Sequence, residues 1–171
     1  ARSVFDRLVE HVGAHHPNVW LGVGSIVEAT TAAAYSAAGA AFVVGPTTED
    51  GVAATCRDVG VPYVPGAATP TEIRRAVSVG NGLIKIFPAD AVGGPGFVAA
   101  ILGPMPGLRL MPTGGVGTSE VELRRWFDAG VTCVGLGGAL ISQDVLAASD
   151  WSALAAHTAS VAKTIESIRR P

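Results

Sequence analysis

Gly82-Leu83-Ile84-Lys85-Ile86-Phe87-Pro88-Ala89 is an apolar run with a lysine at its centre. The apolar residues between Gly82 and Pro88 predict a short buried β-strand. Removing an ammonium group from water favours its neutral form, so the pKa of a strand lysine falls. A neutral amine can attack a ketone and form a Schiff base. The alternative is a lysine whose ammonium group reaches water beyond the strand end or pairs with a buried acid.

The composition predicts one globular domain over residues 1–171, since 49% of the residues are hydrophobic and 15% are charged. The net charge of −2 and the lack of a long basic run argue against nucleic acid or a membrane as partners. We therefore expect small molecules or further copies of this chain as partners. The two cysteines are far apart in sequence, which favours reduced thiols and a cytoplasmic location.

Apolar strand patterns alternate with helical patterns along the chain, which predicts an α/β fold with a parallel sheet covered by helices. The strands are predicted at residues 19–23, 42–44, 62–64, 83–87, 108–111 and 133–136. The helices are predicted at residues 2–14, 30–38, 49–59, 70–79, 94–102, 119–129 and 150–168.

Two architectures fit this alternation: an open doubly wound sheet and a (β/α)8 TIM barrel. No G-x-G-x-x-G motif opens a helix after the first strand, so a dinucleotide-binding sheet is disfavoured. Glycine-rich turns after most strands are typical of barrel loops, which gather site residues at the carboxyl ends of the strands. We expect the barrel. Six strands would leave two apolar edges unpaired, so we expect the barrel's first two strands and first helix to precede residue 1.

Several candidate site residues lie in or directly after the predicted strands and would meet at one mouth of a barrel. They are Ser25, Pro46, Lys85, Thr113-Gly114-Gly115 and Gly137-Gly138. Paired glycines after the last two strands let a phosphate approach backbone N–H groups. An amine beside an anion-binding loop indicates a phosphorylated keto compound as the substrate.

Four motifs resemble those of the 2-keto-3-deoxy-6-phosphogluconate (KDPG) and 4-hydroxy-2-oxoglutarate (KHG) aldolases, from Val19 to about Ser142. They are Gly22-Val-Gly-Ser25, Lys85-Ile-Phe-Pro-Ala89, Pro112-Thr-Gly-Gly115 and Gly135-Leu-Gly-Gly138. The resemblance implies a class I aldolase of the Entner–Doudoroff pathway that cleaves KDPG to pyruvate and glyceraldehyde 3-phosphate. KHG, cleaved to pyruvate and glyoxylate, would be a second substrate. The resemblance also implies a homotrimer and no metal or cofactor.

The same resemblance implies a role for each matching residue. Lys85 would be the nucleophile that forms the Schiff base, and Ser25, which stands where the family often has threonine, would bind the pyruvate moiety together with Thr113. Pro46 would shape the pyruvate pocket. Three glycines would offer N–H groups to the phosphate: Gly114, Gly115 and Gly138.

Two departures from the family pattern keep alternatives open. Gly138 stands where many relatives have a phosphate-binding serine, so substrate phosphorylation is left open. The glutamate that acts as general acid and base in the family, and a nearby arginine, would lie upstream of Ala1. The alternatives are an aldolase for 2-keto-3-deoxy-6-phosphogalactonate, a phosphate-binding barrel isomerase and a non-enzymatic scaffold, and in the last two Lys85 forms no imine.

Overall fold

The computed structural model describes residues 2–170, which fold into short strands and longer helices that alternate through the middle of the chain. The helices are α1 (Arg2–His15), α2 (Ala29–Ala37), α3 (Asp50–Asp58), α4 (Pro70–Val79), α5 (Gly94–Leu102), α6 (Glu120–Asp128), α7 (Gln143–Ala148) and α8 (Trp151–Arg169). The strands are β1 (Val43–Val44), β2 (Tyr63–Val64), β3 (Gly66–Ala67), β4 (Leu83–Ile86) and β5 (Arg109–Pro112). The predicted α/β class is confirmed.

The chain divides into two compact units, one up to Lys85 and one from Ile86 onward. In the first unit β1 and β2 pair in parallel, with Val43 opposite Tyr63. Val23 adds a parallel bridge to Val43 on the other side. Helices α2 and α3 pack together beside these strands. The buried core of this unit is apolar and contains Ile26, Ala32, Val43, Val52, Ala53, Cys56 and Tyr63.

In the second unit Thr113, directly after β5, forms a parallel bridge to Gly135. The Gly135 N–H donates to the carbonyl of Pro112 at 2.8 Å, and the Thr113 N–H donates to the carbonyl of Ile86 at 3.0 Å. Helix α6 packs against both α5 and α8. The residues buried here are largely apolar and include Val98, Ile101, Leu110, Leu123, Trp126 and Val161.

The strands differ most from the prediction in three segments, and the other strand bounds shift by about one residue. Residues 19–23 and 133–136 each contribute one bridging residue, Val23 and Gly135, instead of a continuous strand. In the first of these segments Trp20 is 77% exposed, so the apolar pattern there does not correspond to burial. The segment expected to be a plain loop after β2 contains β3.

Helix α4 begins where the sequence predicted, because two local signals coincide there. Pro70 occupies the first turn, and Thr69 and Glu72 form a reciprocal capping box.

Within residues 2–170 no helix combines the length and the apolar character that crossing a bilayer requires.

Candidate functional site

Lys85 lies in the interior of β4, between two almost fully buried isoleucines, Ile84 and Ile86. Its side chain is 8% exposed, the lowest exposure of any charged residue in the described part of the chain. Its backbone N–H donates to the carbonyl of Pro65 at 2.9 Å, which fixes this point of the strand. Burial lowers the pKa of the Lys85 ammonium group below its usual value. The lysine environment is therefore suited to a nucleophilic amine.

Ser25 follows the bridging residue Val23 and adopts a left-handed backbone conformation with φ of +63°. Non-glycine residues rarely adopt this conformation, and such strain is concentrated at functional turns. The free-energy cost of this backbone conformation is higher for β-branched threonine than for serine. The next residue is held in place, because the Ile26 N–H donates to the carbonyl of Val44 at 3.1 Å. Ser25 is exposed at the end of this strand segment.

Pro46 lies in the loop of residues 45–49 that follows β1, and the two glycines beside it give that loop its close packing. A Cβ atom at Gly66 would overlap the backbone of Pro46. A Cβ atom at Gly45 would lie 2.7 Å from the carbonyl oxygen of Thr47. The Gly66 N–H donates to that same Thr47 carbonyl at 3.1 Å. Within the first unit the Pro46 loop is therefore held against the start of β3.

In the second unit, Thr113-Gly114-Gly115 is held against Ala89 and Asp90. The Ala89 N–H donates to the carbonyl of Thr113 at 2.9 Å, and the Asp90 N–H donates to that of Gly114 at 3.0 Å. Gly114 and Gly115 have φ of +89° and +76°, so both require the conformational freedom of glycine. A Cβ atom at Gly115 would also overlap Asp90. This loop is therefore tightly constrained by backbone contacts.

A cavity of about 500 Å³ opens beside this loop within the second unit. It brings together five of the residues predicted from the sequence, Thr113, Gly114, Gly115, Gly137 and Gly138. The Thr113 hydroxyl is buried against Gly135 and makes no hydrogen bond within the described residues 2–170. A buried hydroxyl is costly when it has no partner, so its placement suits a polar ligand. The glycines leave the backbone of the cavity wall open to an anion.

The model of the family "KDPG and KHG aldolase" matches residues 6–157, which is most of the chain. The chain belongs to the KDPG and KHG aldolase family. Among related proteins, the 2-dehydro-3-deoxy-phosphogluconate aldolase of Pseudomonas aeruginosa is 34% identical over 144 residues. That alignment covers 84% of this chain and 64% of the relative.

Two further aldolases are similar to this chain over different lengths. The 2-dehydro-3-deoxy-phosphogluconate aldolase of Treponema pallidum is 41% identical over 99 residues, which is 58% of this chain and 47% of that protein. The crystal structure of the KDPG aldolase from Legionella pneumophila has a TM-score of 0.82 and is 25% identical. The match covers 93% of this chain and 74% of the Legionella chain, in which pyruvate was captured as a covalent carbinolamine. The chain thus spans about half to two thirds of the length of the two curated aldolases that it matches.

For this member of the aldolase family, the structure adds residues to which the sequence assigned no role. Phe87 and Gly135 line the cavity, and both lie within the four motifs that resemble the aldolase family. Glu122 also lines it, but its carboxylate contacts the Ser119 hydroxyl at 2.5 Å at the start of α6. The spacing of this serine and glutamate is the usual helix-capping pattern, which could have been recognised in the sequence. The binding roles of the predicted residues stay predictions.

Proposed function

We propose that this protein is a class I aldolase that cleaves KDPG to pyruvate and glyceraldehyde 3-phosphate. The observation that carries the proposal is the buried Lys85 in β4, whose pKa is lowered by burial. The family membership of the chain and the covalent pyruvate adduct of the Legionella relative also support Schiff-base chemistry. KHG is a second proposed substrate, since the family includes aldolases for both.

In the proposed reaction the Lys85 amine attacks the C2 carbonyl and forms a carbinolamine, which loses water to give an iminium ion. The C4 hydroxyl then loses its proton to a base, and the C3–C4 bond breaks. Its electron pair moves into the iminium, which leaves an enamine and releases the aldehyde. Protonation of the enamine at C3 and hydrolysis of the imine release pyruvate and restore the Lys85 amine. The electron sink in this scheme is the iminium ion.

In this proposal the other predicted site residues bind the substrate. Ser25 and Thr113 hold the pyruvate moiety, and Pro46 shapes its pocket. The support for Thr113 is its buried hydroxyl, which has no partner among residues 2–170. Phosphate would bind the N–H groups of three cavity glycines, Gly114, Gly115 and Gly138.

We also propose that residues 1–171 belong to one aldolase domain with (β/α)8 barrel topology, as the family resemblance implies. The alternation of strands and helices and the parallel bridges support this topology. We further propose that the protein is a homotrimer in the cytoplasm. Its ligand would be a small 2-keto acid. Light scattering of the full-length protein tests the subunit number.

The function is tested by comparing two lysine variants of the full-length protein. The chain has only two lysines, so Lys163→Met is the matched control for Lys85→Met. Pyruvate release from KDPG is followed with lactate dehydrogenase. We expect the Lys85 variant to lose at least about a thousandfold in rate, since it lacks the nucleophile, and the Lys163 variant to keep wild-type activity. Wild-type protein without activity on KDPG or KHG would contradict the proposal.

A further inference from the structure

Tyr63 is a strand residue of β2 whose side chain reaches the Pro46 loop. Its side chain is only 1% exposed. The Tyr63 hydroxyl donates to the carbonyl of Thr47 at 2.9 Å and accepts from the N–H of Glu49 at 3.2 Å. Both backbone groups belong to the Pro46 loop, in the part that follows Pro46. One hydroxyl therefore satisfies a donor and an acceptor of the same loop.

The backbone of the same residue is tied to the segment that leads into β4. The Tyr63 N–H donates to the side-chain oxygen of Asn81 at 3.0 Å. The Asn81 N–H donates back to the Tyr63 carbonyl at 3.4 Å. Asn81 precedes Lys85 by four residues. Tyr63 thus contacts both the loop that carries Pro46 and the start of the segment that carries Lys85.

The surroundings leave room for this hydroxyl and for little else. A Cβ atom at Gly45 would lie 2.7 Å from the Tyr63 hydroxyl oxygen, so glycine is needed there. Burial raises the pKa of Tyr63, and the hydroxyl keeps the proton that it donates to Thr47. The Thr48 hydroxyl adds a second tie from the same loop, to the carbonyl of Gly66 at 2.9 Å.

We propose that Tyr63 is a positioning residue for substrate binding, because its hydroxyl holds the Pro46 loop in place relative to the strand that carries Lys85. The inference rests on the proposed function, in which Pro46 shapes the pyruvate pocket. Tyr63 itself takes no part in the chemistry. Removing the hydroxyl frees the loop but keeps the backbone pairing with Asn81, so binding of pyruvate weakens while the reactivity of Lys85 is retained.

The test is Tyr63→Phe in the full-length protein, with Tyr35→Phe as the matched control. Tyr35 loses the same atom, but its ring packs edge-to-face against Phe5 with the centroids 5.0 Å apart. Imine formation is measured by borohydride trapping over a range of pyruvate concentrations. For the Tyr63 variant we expect half-maximal trapping at about 5- to 30-fold higher pyruvate. The maximal trapping rate should change less than about threefold, and Tyr35→Phe should behave as wild type.

The concentration dependence separates positioning from a merely structural effect. A variant that is only less stable would trap less protein in total but would keep the wild-type half-saturation. An unchanged half-saturation for Tyr63→Phe therefore overturns the inference while leaving the aldolase proposal intact. Wild-type protein that forms no adduct overturns the proposed function and, with it, this inference.

If Tyr63→Phe does not fold, Thr48→Val decides the question. It removes the second tie between the same loop and Gly66 while keeping the shape of the side chain. We then expect half-saturation at about 2- to 5-fold higher pyruvate, with the maximal rate preserved. A half-saturation equal to wild type would overturn the inference.

Discussion

Two buried polar groups, the Lys85 amine and the Thr113 hydroxyl, carry the account at the scale of single residues. Lys85 is held among isoleucines, where burial lowers its pKa. Thr113 buries its hydroxyl against Gly135 without a hydrogen-bond partner among the described residues. Both arrangements cost folding free energy, and under the proposed function a bound substrate would offset that cost.

Thr113→Val is expected to raise the free energy of unfolding by about 1 kcal/mol, because it replaces the buried hydroxyl with a methyl group of similar shape. The same change should weaken pyruvate binding, since the proposed ligand contact is lost. Urea denaturation and the pyruvate dependence of borohydride trapping measure the two effects.

Thr158→Val is the control for this prediction, because the Thr158 hydroxyl donates to the carbonyl of Leu154 at an exposed position of α8. It should leave the pyruvate dependence unchanged. A Thr113 variant that is clearly less stable than wild type, and that binds pyruvate equally well, would show that the hydroxyl has a structural role instead.

At the scale of elements, α4 shows how local signals fix a helix. The Thr69 hydroxyl accepts from the Glu72 N–H at 3.3 Å, and the Glu72 carboxylate accepts from the N–H groups of Ala68 and Thr69 at 2.8 and 2.9 Å. Together with Pro70 at the first turn, these contacts explain why α4 begins where it was predicted to begin.

The charge on Glu72 should make the stability of α4 depend on pH. The hydrogen bond from the Ala68 N–H has the largest effect on the pKa of Glu72, and the hydrogen bonds from Thr69 add to it. Together they lower this pKa below its usual value of 4.5. Its contribution is therefore complete above pH 4.5 and is lost as the pH falls through the lowered folded-state pKa. Glu72→Gln should reduce the free energy of unfolding by about 0.5 kcal/mol at pH 7, and by less as the pH falls below 4.

Urea denaturation at pH 7 and at pH 3 tests this, with Glu166→Gln on α8 as the control. The Glu166 variant is expected to match wild type at pH 7. An equal loss of stability for Glu72→Gln at both pH values would show that the carboxylate charge plays no part in capping.

At the scale of the whole molecule, the sequence could predict the α/β class and most helices, because those depend on periodicity and local capping. Helices α4 and α5 begin and end as predicted. The residues around the cavity were also within reach, since glycine motifs carry their own turn geometry. The contacts of Tyr63 could not be predicted from the sequence, because its hydroxyl bonds to Thr47 and Glu49, which are 16 and 14 residues away in the chain. Short segments such as residues 19–23 also escape prediction, since an apolar pattern does not show whether a partner covers it.

The central claim is that Lys85 forms an imine with a 2-keto acid. The most direct test treats the full-length protein with pyruvate and sodium borohydride at pH 7 and maps the adduct by peptide mass spectrometry. Because burial lowers the pKa of Lys85, we predict a pyruvate-derived mass increase on its peptide and none on the peptide with Lys163. Folded protein that gives no adduct, or equal labelling of both lysines, would contradict the account and leave Lys85 a structural or electrostatic lysine.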